Sequence, residues 1–194
     1  MIKVGLTGSI GSGKSLISSI FSKLGVPVFD SDSSAKELYK SDSILKDLIQ
    51  DAFGKESYLD SGDLNKKFIA KVIFNDKKKL NLINQIVHPR VKLDFEKWLT
   101  ENNKAKYVIK EAAILIESGA YKHMDKIIVV SAPLELRIER VIQRDNLNEP
   151  EIRKRINNQL SEDDLLKFAD FVISNNGKDA VLPQILKIHK QLIK

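Results

Sequence analysis

The stretch that decides the fold is Ile2-Lys3-Val4-Gly5-Leu6-Thr7-Gly8-Ser9-Ile10-Gly11-Ser12-Gly13-Lys14-Ser15. Ile2 to Leu6 reads as a short buried strand that runs into a glycine-rich turn. Beyond it Leu16, Ile17, Ile20, Phe21 and Leu24 follow helical spacing, closed by Gly25 as a C-cap. Gly8 to Ser15 fits the pattern G-x-x-x-x-G-K-[ST] without a mismatch, and it sits between a strand and a helix, where that pattern must sit. Its glycines let successive backbone N–H groups converge on an anion, aided by the positive end of the following helix. Lys14 is placed to reach the β- and γ-phosphates, and the Ser15 hydroxyl to ligate Mg²⁺. A glycine turn without a ligand has no use for the Lys-Ser pair, so the stretch reads as a nucleoside triphosphate site.

Further along, short apolar runs at Val26 to Phe29, Tyr107 to Ile109, Ile127 to Val130 and Phe171 to Ile173 add four strands. Helical stretches separate them, which indicates a parallel sheet covered on both faces. The expected fold class is therefore α/β, a three-layer P-loop NTPase fold with five parallel strands. About 75 residues without a convincing strand separate the second and third strands. A crossover needs roughly a dozen residues, so this segment is an inserted helical subdomain. Its apolar faces are Ile44, Leu45, Leu48 and Ile49, then Phe68, Ile69, Val72 and Ile73, then Val91, Phe95 and Trp98. The expected division is a core of residues 1–32, 96–136 and 165–194, an insert of 33–95 and a helical lid of 137–164, with a last helix from about Asp179.

Composition narrows the function. The chain has 194 residues, 42% hydrophobic and 30% charged, which suits one domain carrying an insert. There is no cysteine, so disulfides and thiolate metal sites are excluded and a reducing cytoplasm is the expected location. The longest unbroken apolar run is the five residues Ala112 to Ile116, too short to span a bilayer. Glycines follow the N-terminal Met too soon for a secretory signal. The net charge of +6 comes from 26 Lys and 6 Arg against 26 acids, and five of the arginines fall between 137 and 155. Lysine is a solvated charge, whereas arginine offers a planar fork suited to phosphate.

Which P-loop chemistry this is depends on the rest of the chain. No Asn-Lys-x-Asp tetrapeptide is present to read guanine, and Asp51-Ala-Phe-Gly54 reads as a helix end rather than a switch. Asp30 and Asp32 flank Ser31 just past the second strand, where open α/β sheets bind ligands. In an extended segment both carboxylates would face one side. One could accept or orient a hydroxyl proton and the other support Mg²⁺ through water; either could instead cap a helix starting near Ser33. Arg137, Arg140 and Arg144 share a helix face. Arg140 and Arg144 read as functional, closing over the triphosphate, while Arg137 and Arg155 read as solvated partners of nearby Glu135 and Glu139.

The ordered set of motifs is specific. Gly5 to Ser15, Val28-Phe-Asp-Ser-Asp32, Val87-His-Pro89, Gln143-Arg-Asp145, Gln159 and Ala169-Asp-Phe-Val-Ile-Ser-Asn-Asn-Gly177 together resemble the dephospho-coenzyme A kinase family along nearly the whole chain. The resemblance implies ATP-dependent phosphorylation of the 3′-hydroxyl of dephospho-coenzyme A, the last step of coenzyme A synthesis. It makes Asp32 the catalytic carboxylate and assigns Gly11, Ser12, Gly13, Lys14, Ser15 and Leu16 to ATP. It puts the acceptor on the inserted helices and His88 near it; from the sequence alone, His88 is an N-cap ahead of a first-turn proline. Two departures stand out. Glu111-Ala-Ala-Ile-Leu-Ile-Glu117 replaces the usual Asp-x-Pro-Leu-Leu-x-Glu. Asp163-Asp164-Leu165-Leu166-Lys167 stands where a lid Arg or Lys-Arg is common.

The rival readings are another small-molecule kinase, for a nucleoside or its monophosphate, and a nucleic-acid-dependent ATPase. The second lacks aromatic interleaving, and Lys77-Lys-Lys79 reads as a solvated helix face. The expected partner is thus a small molecule, with neither nucleic acid nor membrane.

Overall fold

The computed structural model describes residues 1–73 and 76–194. They form two compact units, one of residues 1–30 with 102–194 and the other of residues 31–101.

The first unit is built on β1 (Ile2–Thr7), β2 (Val28–Asp30), β3 (Tyr107–Glu111), β4 (Lys126–Ser131) and β5 (Phe171–Ser174). All pair in parallel in the order β2-β3-β1-β4-β5. This is the expected five-stranded sheet, with β3 and β4 running one or two residues further than their apolar runs. Alternating residues face opposite layers. Val4, Leu6, Tyr107, Ile109, Ile128, Val130 and Ile173 point to one side. There Ile17 and Phe21 of α1 (Lys14–Lys23) and Ile185, Ile188 and Leu192 of a C-terminal helix at Val181–Leu192 bury them. On the other side Ile127 and Val129 meet Ile116 and Leu165. Leu16, read as part of the buried face of α1, is instead 52% exposed, because only a narrow stripe of so short a helix can reach the sheet. Register pairs Leu6 with Glu111 and Glu111 with Asp30, so β1, β3 and β2 end at one edge.

The second unit is helical: α2 (Ser31–Ser41), α3 (Ser43–Phe53), α4 (Lys66–Ile73) and α5 (Lys77–Glu101). Its core is a stripe at four-residue spacing on α5, Ile83, Val87, Val91 and Phe95, against Leu45, Ile49 and Ile69. Leu45 and Ile49 are fully buried, but Ile44 and Leu48 are exposed, so the α3 face is half as wide as its sequence suggests. Asp42 caps α3 by accepting from the Leu45 N–H (3.0 Å) and pairs with Arg90 of α5 at 2.6 Å. Burial alone would raise the Asp42 carboxyl, but the Arg90 guanidinium and the Leu45 and Ile44 N–H groups outweigh it and hold it low.

Two local expectations are corrected here. Asp32 is not in an extended segment: Ser31 already opens α2, so Asp32 lies in a first helical turn and the argument that Asp30 and Asp32 share a side lapses. His88 is not an N-cap. His88 and Pro89 lie inside α5, which runs unbroken for 25 residues. Proline removes the N–H that Gln85 would accept, yet Val87 and Val91 are both buried, and that packing carries the helix through. Since Pro89 is exposed, Pro89→Ala restores the missing bond with no loss of packing. It should raise the urea midpoint, by up to about 3 kcal/mol of stability, with the circular-dichroism spectrum unchanged.

Candidate active site

The loop between β1 and α1 owes its shape to close backbone approaches. Gly11 has φ +78°, and a Cβ there would lie 2.5 Å from the Arg137 carbonyl oxygen. Gly13, the N-cap of α1, has φ +95°, and its Cβ would lie 2.2 Å from the Asn175 amide nitrogen. A side chain at either position would meet both a left-handed backbone and an occupied space. Lys14 folds its ammonium back over the loop, donating to Gly8 O (2.7 Å) and Ser9 O (3.4 Å).

The helix after β4, α6 (Leu134–Asp145), brings arginine to this loop. Arg140 donates to Gly11 O (3.4 Å) and to Asn175 O (3.1 Å) and Oδ1 (3.4 Å). Arg144 forks onto Asp145 (2.8 and 3.0 Å), which holds that carboxyl below its ordinary range and raises the guanidinium. A pocket of about 190 Å³ results, lined by Gly11, Gly13, Lys14, Ser15, Arg140 and Arg144 with Val141. Three cations and a helix N-terminus converge on it, the electrostatic environment of a polyphosphate. Ser12 and Leu16 belong to the same segment, but Ser12 is buried beneath the loop and Leu16 faces outward.

On the Ser15 side, the Ser15 hydroxyl donates to Glu111 Oε1 (3.3 Å) and Ser18 to Glu111 Oε2 (2.5 Å). These oxygen donors suit Mg²⁺, which takes one or two protein ligands together with phosphates. Among the described residues no cluster of three or more His, Asp or Glu could hold a metal by itself.

Asp32 and His88 belong to the helical unit, Asp32 exposed in the first turn of α2 and His88 half-buried within α5. Arg137 departs most from expectation. It is 6% exposed rather than solvated, and its Nε donates to Ala132 O (3.0 Å). Its acidic neighbour is Glu162 at 3.6 Å, not Glu135 or Glu139. Glu135 pairs instead with Arg153 (3.2 Å).

Sequence reasoning gave no role to Asn175 or Gln159, though both lie in quoted motifs. Asn175 donates to Ser12 O (2.8 Å) while accepting from Arg140, and so ties the loop to α6. Gln159 Oε1 accepts from Ile10 N–H (2.8 Å). Short polar residues after a strand gave a signal for Asn175, but not its partner 163 residues away. Asn175→Ala should raise the ATP KM about tenfold, the loss of one or two buried hydrogen bonds, with a smaller change in acceptor KM in steady-state assays.

A sequence model of the dephospho-CoA kinase family matches residues 2–180. A dephospho-CoA kinase of Bacteroides fragilis is 40% identical over 187 residues, covering 96% of this chain and 91% of its own. One of Aquifex aeolicus is 33% identical over 193 residues, covering 99% and 98%. Among solved structures, a Thermus thermophilus protein superposes with a TM-score of 0.84 at 28% identity, covering 99% of this chain and 96% of its own. A dephospho-CoA kinase from Campylobacter jejuni gives 0.68 at 26%, covering 98% and 96%. A shikimate kinase from Bacteroides thetaiotaomicron, at 0.54 and 14% identity, shares the fold. With the family match spanning nearly the full length and a phosphate-binding loop ringed by cations, this chain belongs to the dephospho-CoA kinase family.

Proposed function

We propose that this enzyme transfers the γ-phosphoryl group of ATP to the 3′-hydroxyl of dephospho-coenzyme A, giving coenzyme A and ADP. The observation that carries the reading is the family match over residues 2–180 together with a pocket lined by Lys14, Arg140 and Arg144 and the loop residues Gly11, Gly13 and Ser15. ATP is the co-substrate that a kinase of this family requires. The cysteine-free composition suits a reducing compartment, and we assign the reaction to the cytoplasm. Among the described residues no helix is long and apolar enough to cross a membrane.

In the proposed mechanism the amides of Gly11 to Leu16 hold the triphosphate, with Lys14 exchanging the Gly8 and Ser9 carbonyls for phosphate oxygens. A charged acceptor makes the stronger bond, so the loop gives up neutral contacts for better ones. Arg140 and Arg144 neutralise the charge that develops on the transferred group and on ADP. Asp32 takes or orients the proton of the 3′-hydroxyl as its oxygen bonds to the γ-phosphorus and the bond to the bridging oxygen of ADP breaks. His88 lies on the acceptor side. Ser15, with Glu111 behind it, would hold Mg²⁺, which when bound would help neutralise the charge of the triphosphate.

Purified protein with ATP and Mg²⁺ should convert dephospho-coenzyme A to a product one phosphate heavier by mass spectrometry. Turnover of adenosine or AMP in its place would overturn the assignment. Asp32→Asn should keep ATP affinity within about twofold and lose at least about 100-fold in kcat, the usual scale for a lost acid–base group. Arg144→Ala should lower kcat more than it raises acceptor KM; an effect confined to KM contradicts its role on the transferred group.

A further inference from the structure

A second cleft in the sheet unit, of about 430 Å³, is bordered by Ser9 of the phosphate loop, Arg137 and Glu162, with Asn157, Gln159 and Leu160 along its wall. It shares no lining residue with the nucleotide pocket. Arg137 is its unusual member. The side chain is more than nine-tenths buried, yet among the described residues Nη1 has no hydrogen-bond partner. Glu162 does not meet that need. Its Oε2 stands 3.6 Å from Nη2, beyond ordinary hydrogen-bond reach, and its Oε1 accepts from Ser131 Oγ. A buried guanidinium with an unmet donor is costly, and a small shift of the side chain toward the cleft would let an acceptor there satisfy it.

We infer that this cleft is an anion subsite for the acceptor, in which Arg137 takes oxygens of its diphosphate. The inference rests on the proposed reaction and names where that reaction's second substrate is read. ATP phosphates are already served by Lys14, Arg140 and Arg144 in the other pocket, so an anion beside Arg137 and Gln159 is a different one. Dephospho-coenzyme A carries its diphosphate on the 5′-oxygen of the same ribose whose 3′-hydroxyl is phosphorylated. A hydroxyl delivered to the loop therefore brings the diphosphate within a few bonds of it. Gln159 Oε1 is held by the Ile10 N–H, so its amide N–H₂ is the end left to donate. Arginine suits the ligand, since its fork matches two phosphate oxygens.

Arg137→Met keeps the aliphatic stem while removing the charge and the donors, and Arg137→Lys restores the charge alone. Steady-state kinetics with ATP, Mg²⁺ and dephospho-coenzyme A should show Arg137→Met raising acceptor KM tenfold or more. ATP KM should stay within twofold, and the lysine variant should recover part of the loss. Asn157→Glu, an exposed change on the cleft wall, puts a negative charge there and tests the subsite without disturbing Arg137. It should also raise acceptor KM severalfold, and more so at low salt. Unchanged acceptor KM in Asn157→Glu would overturn the subsite. So would a melting-temperature loss without a KM change in Arg137→Met, or a fall in kcat alone. Wild-type protein that does not turn over dephospho-coenzyme A would instead defeat the reaction, a result distinct from all of these.

Discussion

The site depends on how closely the phosphate loop lies against the backbone of α6 and the end of β5. The approach at Gly11 leaves no room for a Cβ beside Arg137, and at Gly13 none beside Asn175. Amide groups converge on an anion only where the chain turns through left-handed conformations, and such turns hold only when the surroundings over-determine them. Here the surroundings do. Asn175 grips the Ser12 carbonyl, Arg140 the Gly11 carbonyl and Gln159 the Ile10 amide, while the Ile10 side chain packs on Ile138, Val141 and Ile152.

Three cations around one pocket repel each other, and without a ligand that repulsion must be offset locally. Lys14 rests on two carbonyls, Arg140 on two carbonyls and an amide oxygen, and Arg144 on the Asp145 carboxylate. Phosphate oxygens can displace every one of these partners. Because the charges are already aimed, binding a triphosphate requires little reorganisation, and that is where fixed electrostatic sites gain their catalytic value. Glu111 plays the opposite part. Tied to Ser15 and Ser18, it is a nearly buried acid at the edge where three strands end. It balances the cations across the loop.

What could be read in the sequence divides along physical lines. The sheet, the loop and the helical insert were legible because buried strands, left-handed glycines and four-residue apolar spacing are local signals. Lys14, Ser15, Arg140 and Arg144 line one pocket because a loop motif and a helical repeat, both local signals, bring them together. Ser31 shows where local reading stops, since capping and extended readings fit the same residues and α2 simply begins one residue after β2. At Pro89 a strong local breaker yields to the burial of Val87 and Val91 two residues to either side. Asn175 and Gln159 escaped because their partners lie about 150 residues away in the chain, and no spacing rule reaches that far.

Arg137, Arg140 and Arg144 make the same point within one helix. By spacing they are equivalent, stacked along a single face. Their fates are set by what that face meets at each turn. In the first turn the loop backbone presses on Arg137 itself, and its side chain passes to the cleft beside Ser9 and Glu162. A turn later Arg140 reaches the carbonyl of Gly11 and the end of β5. At the last turn Arg144 stands at the pocket rim, where a cation also complements the helix dipole. One rigid element thus supplies charge to two separate clefts. Anything that shifts α6 along its axis moves the contacts at both clefts together, so the two clefts of this unit are geared to a single part.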